Sequence, residues 1–165
     1  KTTGASVFAY KVKTPQLYGV VEFDDQNKVL SLEEKPVSPK SNYALTGLYY
    51  FDGRESEYAK SLTPSSRGET EITDLMKRYL ETNELSVERL GSGFAWLDTG
   101  SYDSMYDAST FVKVMQTRQG VLISSPEEIA YRKGFINKYQ FMRLAEALSK
   151  TEYGQYLLSL VKEKQ

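Results

Sequence analysis

Tyr18-Gly19-Val20-Val21-Glu22-Phe23-Asp24-Asp25-Gln26-Asn27-Lys28-Val29-Leu30-Ser31-Leu32-Glu33-Glu34-Lys35-Pro36 reads as two strands joined by a turn, and it fixes the kind of sheet this chain builds. Tyr18 to Phe23 and Val29 to Glu34 are rich in β-branched and aromatic residues or alternate in polarity, the pattern of a half-buried strand. Asp24-Asp25-Gln26-Asn27 between them is turn chemistry, so the two strands form a hairpin. On the N-terminal side, Ala5 to Val12 is another run of strand formers, closed by Thr14-Pro15 because proline lacks the ladder donor. On the C-terminal side, Pro36 and Pro39 mark a loop, and Asn42 to Phe51 is a long strand with Gly47 inside it, where a bulge or a close ligand approach is expected.

Helical periodicity begins after this strand-rich block. A short amphipathic helix is expected from Ser56 to Leu62, then a polar loop, Thr63-Pro64-Ser65-Ser66-Arg67-Gly68-Glu69. Ile72, Leu75, Met76, Tyr79 and Leu80 share one face of a helix running to Thr82, with Thr70 or Thr73 as its cap. Leu85 to Leu90 is a strand, Gly91 and Gly93 turn the chain, and Phe94 to Leu97 reads as a buried apolar strand that delivers Asp98 to its end. Thr99 or Ser101 caps the next helix, which runs to about Gln119 with Tyr102, Met105, Tyr106, Ser109, Val112 and Met115 on one side. Beyond Gly120 the texture is all helical. Ser125-Pro126-Glu127-Glu128 combines a cap, a proline at the first helical position and acids in the first turn. Gly134 ends that helix, Asn137 caps another through Ser149, and Tyr153 to Lys162 is the last. The expected fold class is α/β: a mixed sheet with covering helices over residues 1–119, followed by a helical appendage over 120–165.

Composition narrows the chemistry. The 165 residues are 40% hydrophobic and 26% charged, ordinary for a globular chain long enough to bury a core. Twenty-one basic residues against 22 acidic give a net charge of −1, which provides no global attraction to nucleic acid or an anionic membrane. There is neither Cys nor His, so disulfides, thiolate nucleophiles, zinc-thiolate sites and imidazole bases are excluded. Catalysis has to use carboxylates, Lys, Arg, Tyr or hydroxyls. No run is apolar enough to span a bilayer and Lys1-Thr2-Thr3-Gly4 is not a signal peptide, so a cytoplasmic protein is expected.

Three places carry candidate chemistry, each with a plainer alternative. Asp98, at a strand-to-helix junction, is either a turn former or a carboxylate set to bind a cation beside substrate phosphates. Glu33-Glu34-Lys35 is either the charged edge that guards a hairpin against aggregation or a polar site at a strand end. Arg67 is either a solvated loop residue or a five-donor fork that suits phosphate if the loop folds inward. No glycine-rich phosphate loop occurs in these residues, since Gly91-Ser92-Gly93 is too short.

Taken together, Tyr18-Gly19-Val20-Val21-Glu22-Phe23, Leu32-Glu33-Glu34-Lys35-Pro36, Ser41-Asn42-Tyr43-Ala44, Thr46-Gly47-Leu48-Tyr49, Arg67-Gly68-Glu69, Glu71-Ile72-Thr73-Asp74, Trp96-Leu97-Asp98-Thr99-Gly100 and Pro126-Glu127-Glu128-Ile129-Ala130 resemble the bacterial sugar-phosphate nucleotidylyltransferases. The likeness is strongest to the members that use deoxythymidine triphosphate (dTTP) and glucose 1-phosphate. It spans nearly the whole chain but corresponds to the C-terminal half of such an enzyme. It implies the Rossmann-like sheet of nucleotide-diphospho-sugar transferases, magnesium as cofactor, and a reaction in which glucose 1-phosphate attacks the α-phosphorus of dTTP. By resemblance Asp98 is the second metal carboxylate and Glu34 accepts hydrogen bonds from glucose. Lys35 and Arg67 neutralise the sugar phosphate, while Gly19 and the backbone at Leu45 line the sugar pocket. Relatives usually carry a smaller branched residue at Leu45, a departure that leaves a backbone contact intact.

The missing half would hold the glycine-rich nucleotide loop, the base-binding residues and the first metal aspartate, so this chain alone is expected to be inactive. The resemblance also implies a homotetramer with a second nucleotide-sugar site for feedback by dTDP-rhamnose, to which Glu127, Ile129 and Arg132 contribute. Their plain reading is helix capping and surface charge. A second function class stays open: a non-catalytic sugar-phosphate-binding, regulatory or assembly module on the same scaffold.

Overall fold

The computed structural model describes residues 3–120 and 122–162, and their contacts divide the chain into two compact units, Lys1–Trp96 and Leu97–Gln165. The change of texture expected at 119/120 marks where short helices begin, whereas the division by contacts assigns the long preceding helix to the second unit.

In the first unit five strands form one mixed sheet: β1 (Ala5–Lys11), β2 (Gly19–Phe23), β3 (Val29–Glu34), β4 (Tyr43–Tyr50) and β5 (Leu85–Leu90), in the order β3-β2-β4-β1-β5. Among the described residues only β1 and β5 run parallel. The β2–β3 hairpin forms as the sequence indicates. Asp24 Oδ1 accepts the amides of Gln26 and Lys28, each at 2.9 Å, and Asn27 takes the left-handed φ of 62° that Asn tolerates in a turn. Gly47 lies in a bulge. Val7 faces Tyr49 and Ala9 faces Leu45, so Thr46, Gly47 and Leu48 oppose Phe8 alone, and Gly47 has φ 81°.

The hairpin joins β4 through the single pair Val20–Ala44, and beyond it the sheet curls back on itself. Lys28 bridges Ser86 of β5, and the Arg89 guanidinium lies 5.2 Å from the centre of the Phe23 ring. Alternation puts Val7, Ala9, Val21, Leu32, Leu45 and Val87 into the core, where they meet Leu75 and Met76 of α2 (Ile72–Glu81). The helix α1 (Glu55–Lys60) adds Tyr58 to the rim of this core. Ile72 is 40% exposed and so lies off the buried stripe, which instead begins at the fully buried Thr73. Neither Thr70 nor Thr73 caps α2. Its N-cap is Glu71, with no side-chain cap bond.

A polar joint fastens the edge of this core. The Asp52 carboxylate accepts from Arg54, from the Gly4 amide at 2.6 Å and from the Tyr79 hydroxyl at 3.1 Å, and Arg54 also bonds Glu84 at 2.8 Å. Arg54 holds Asp52 well below the usual carboxylate range and lowers Glu84 too. Burial, helped by the bond to Asp52, pushes Tyr79 up to about 12. A depressed carboxylate stabilises the fold above its ordinary pKa and loses that contribution as pH falls through its folded value. A raised phenol contributes fully below 10 and loses its contribution as pH rises through about 12. Thermal melts across pH should therefore fall off on both flanks. In Asp52→Asn the acid flank should flatten, and Tyr79 should titrate closer to 10 in an absorbance titration.

Two segments differ from the sequence reading. Phe94–Leu97 is not a strand: residues 94–99 have no regular secondary structure, and Phe94 and Leu97 are 59% and 42% exposed. No neighbouring strand among the described residues accepts its ladder. Side chains hold it instead, the Tyr10 hydroxyl donating to the Phe94 carbonyl at 3.0 Å and Trp96 Nε1 to the Thr46 carbonyl at 3.1 Å. In the second unit, α3 (Tyr102–Gln119) starts on a Ser101–Ser104 capping box and ends at Gly120 with φ 64°. It buries only Ala108, and Tyr102, Met105 and Tyr106 of the expected stripe are exposed. The covered positions are Ser104, Ala108, Val112, Met115 and Gln116, one face turned away from Tyr102 and Tyr106, so only Val112 and Met115 of the expected stripe are half-buried while Phe111 and Val114 are exposed.

The helices α4 (Pro126–Arg132), α5 (Lys138–Ala147) and α6 (Glu152–Lys162) pack around Phe141, Ala145 and Leu157, with Tyr131 stacked 4.7 Å from Phe141. Ser125 is the N-cap of α4, but its hydroxyl pairs with the Tyr153 hydroxyl at 3.1 Å instead of closing the first turn. Asn137 and Gln140 form a capping box on α5.

Candidate active site

The hairpin register sets the first part of the site. Gly19 lies opposite Glu34 at the end of β2–β3, and side chains alternate along β3, so Glu33 and Glu34 diverge. Glu33 serves the edge, paired with Lys40 at 3.2 Å. Glu34 turns to Gly19, where the space is small: a Cβ on Gly19 would stand 3.0 Å from Thr73 Cγ2, 3.1 Å from Glu34 Oε2 and 3.2 Å from Leu45 Cδ1. The missing side chain at Gly19 thus makes a niche bounded by Glu34, Leu45 and Thr73. The Thr73 hydroxyl is buried without a hydrogen-bond partner among the described residues. Tyr49 is part of the same environment, its phenol raised by burial and then by the Glu34 charge.

Lys35 follows with a left-handed φ of 42°, just before Pro36, a position where proline disfavours helical backbone in the preceding residue. Its amide donates to the Tyr18 carbonyl at 3.0 Å. The side chain is exposed and forms no ion pair among the described residues. Strain of this kind is retained where the surroundings impose it, often at a site.

The loop before α2 folds inward. The Ser65 amide bonds the Glu69 carbonyl and the Gly68 amide bonds the Ser65 carbonyl, with Gly68 at φ 77°, which turns the chain and sends Arg67 back over the niche. Arg67 Nη1 comes within 3.7 Å of Glu34 Oε1 and 3.5 Å of Glu71 Oε1, while Nη2 bonds Glu69 Oε2 at 2.8 Å. The structure therefore brings Gly19, Glu34, Leu45 and Arg67 together. Three participants are ones that sequence reasoning did not place at the site: Ser65, Glu71 and Thr73, the last expected only as a helix cap. Glu71 immediately before a helix reads as a macrodipole acid, and nothing in a linear pattern aims it at Arg67.

Aromatic groups border the same sheet end. Trp96 packs edge-on to Tyr18 at 5.1 Å and lies 6.1 Å from Tyr10. Such rings suit the apolar faces of a sugar.

Asp98 belongs to the second unit and is exposed, not buried at a strand end. Its Oδ2 lies over Gly100, 3.1 Å from where a Cβ would be. No group of three or more carboxylates among the described residues could hold a metal by itself. A single hard oxygen donor still fits magnesium, which is commonly held by one or two carboxylates with substrate phosphates and water. Farther along, Glu127 accepts from the Tyr153 hydroxyl, Arg132 pairs with Glu128 at 2.6 Å, and Ile129 is 52% exposed. No helix among the described residues is long and apolar enough to cross a membrane.

Comparison with known proteins sets these residues in a family. The family described as Nucleotidyl transferase matches residues 1–114. Glucose-1-phosphate thymidylyltransferase of Xanthomonas campestris pv. campestris is 52% identical over 159 residues, covering 96% of this chain and 54% of that protein. The enzyme of the same name from Neisseria meningitidis is 51% identical over 163 residues, 99% of this chain and 57% of that one. The chain thus spans about half the length of the curated relatives it matches. A crystal structure of a putative glucose-1-phosphate thymidylyltransferase from Bacillus anthracis, in complex with sucrose, superposes with a TM-score of 0.59 at 38% identity, over 66% of this chain and 43% of that one.

Proposed function

Because this chain belongs to the nucleotidyl transferase family, we propose that it supplies the sugar-phosphate-binding part, and one metal carboxylate, of a glucose-1-phosphate thymidylyltransferase. The observation that carries this reading is the convergence of Glu34, Leu45 and Arg67 on the niche at Gly19. Glu34 accepts hydrogen bonds from glucose hydroxyls in that niche. The Arg67 guanidinium and Lys35 ammonium take the phosphate, whose charge they offset and whose attacking oxygen they orient. That oxygen forms a bond to the α-phosphorus of dTTP as the bond from that phosphorus to the bridging oxygen breaks, releasing pyrophosphate. Positioning and charge neutralisation dominate such a transfer, so no His or Cys is required. Asp98 would hold Mg2+, which when bound offsets charge on the phosphate oxygens.

The glycine-rich phosphate loop absent from these 165 residues would come from the rest of the relatives' length. The 165-residue chain by itself is expected to give no dTDP-glucose from dTTP and glucose 1-phosphate. A chimera in which it replaces the matched 163-residue segment of the Neisseria meningitidis enzyme is expected to be active. Product formation by the chain alone, or an inactive but folded chimera, would overturn the proposal.

A further inference from the structure

We propose that the two loop carboxylates on Arg67 have opposite tasks: buried Glu71 is a positioning residue that fixes the guanidinium, and exposed Glu69 is a stand-in anion occupying the edge that the sugar phosphate takes. This rests on the reading of Arg67 as the phosphate-binding group.

A guanidinium meets an oxyanion best with two parallel N–H donors on one edge. In this structure both terminal nitrogens are engaged by carboxylates. Nη1 faces Glu71 and Glu34, and Nη2 donates to Glu69. Three carboxylates already surround one cation, so a phosphate cannot be added favourably unless one leaves.

The surroundings decide which one leaves. The Glu71 side chain is 10% exposed and its Oε1 also accepts from the Ser65 hydroxyl at 2.9 Å, while Ser65 Oγ accepts the Arg67 amide at 3.2 Å. Glu71, Ser65 and Arg67 thereby form a ring of two hydrogen bonds closed by the 3.5 Å ion pair, which ties the loop backbone to the carboxylate facing the guanidinium. Arg67 is 38% exposed, so the cost of parting this pair falls on Glu71, a nearly buried carboxylate that would be left with Ser65 alone. Glu69, by contrast, is 61% exposed and its carboxylate is held by Arg67 alone among the described residues. Exposed ion pairs are weak and solvent competes for both groups. A phosphate therefore displaces Glu69 and keeps Glu71.

The test is calorimetric titration of the 165-residue chain with glucose 1-phosphate and with glucose. Glu69→Gln is expected to tighten glucose 1-phosphate binding about threefold, the scale of one exposed pair. Glu71→Gln should weaken it about tenfold, with partial recovery in Glu71→Asp. The response to glucose, which carries no phosphate, should be the same in all of these, and so should the response of Glu57→Gln, an exposed control on α1, to either ligand. If the wild-type chain does not bind glucose 1-phosphate, or Arg67→Ala binds it as well as wild type, the phosphate role of Arg67 fails and this inference with it. If binding depends on Arg67 but Glu69→Gln leaves it unchanged or weaker, the stand-in role alone is overturned. Equal losses for glucose and glucose 1-phosphate in Glu71→Gln would make Glu71 merely structural.

Discussion

Asp98→Asn in the chimera with the Neisseria meningitidis segment is expected to lower turnover about a thousandfold, which corresponds to roughly 4 kcal/mol of transition-state stabilisation. The substitution keeps shape and removes one negative charge. Asp98 is exposed and has no regular strand around it, so the change to an amide leaves the fold intact and the loss reports on chemistry. The metal reading gives the loss a signature. Raising Mg2+ should recover part of the activity of Asp98→Asn, because the weakened site fills at higher concentration, and KM for glucose 1-phosphate should change less than kcat. If Asp98 is only a turn former, the variant keeps near wild-type turnover with no new dependence on Mg2+. A steady-state titration of the metal at saturating substrates separates the two.

Gly154→Ala is expected to unfold the second helical unit. Gly154 is buried near the start of α6, and an added Cβ would fall 1.9 Å from the Leu148 carbonyl oxygen, 2.2 Å from its carbon and 2.8 Å from the Ser149 nitrogen. All three are backbone atoms at the end of α5, so no side-chain rotation relieves the clash. Helix propensity pulls the other way, since Ala inside a helix is favoured over Gly by about 1 kcal/mol. Overpacking that forces backbone apart costs about 3 kcal/mol or more. That is a large share of the stability of a unit whose buried centre is Phe141, Ala145 and Leu157. The expected result is a lower melting midpoint and loss of dispersed amide signals over residues 126–162. A raised midpoint would mean that propensity decides and that α6 does not cross α5 at Gly154.

The two predictions also mark what a linear reading of this chain could reach. The strands and the hairpin were legible because alternation and turn residues are local, and Asp24 and Asn27 do in the structure what their chemistry implies. Gly47 was marked for a bulge or a close ligand approach, and a bulge is what forms there. Phe94–Leu97 was not, because apolar composition signals burial without saying what covers it or which strand takes its ladder. The α3 stripe was legible only at its C-terminal end: Val112 and Met115 are half-buried beside Ala108, while Tyr102, Met105 and Tyr106 are exposed, because a periodic face does not say what covers it.

At the site, Glu34 and Arg67 could be marked as chemistry-bearing residues. Their meeting at Gly19 depends on the β2–β3 register and on the turn at Gly68, neither of which a motif encodes. Ser65 and Glu71 act through a ring closed in space. Gly154 looks like a weak helix position until the neighbouring backbone is seen.

The niche at Gly19, with Arg67 and Lys35, is proposed to receive a sugar phosphate. The most direct test is titration of the 15N-labelled chain with glucose 1-phosphate, followed by amide shifts. Saturable changes are expected at Gly19, Lys35, Arg67 and Gly68, absent in Lys35→Ala and Arg67→Ala, and weaker with glucose. Saturable changes confined to residues 126–132, or none anywhere at high ligand, would contradict it.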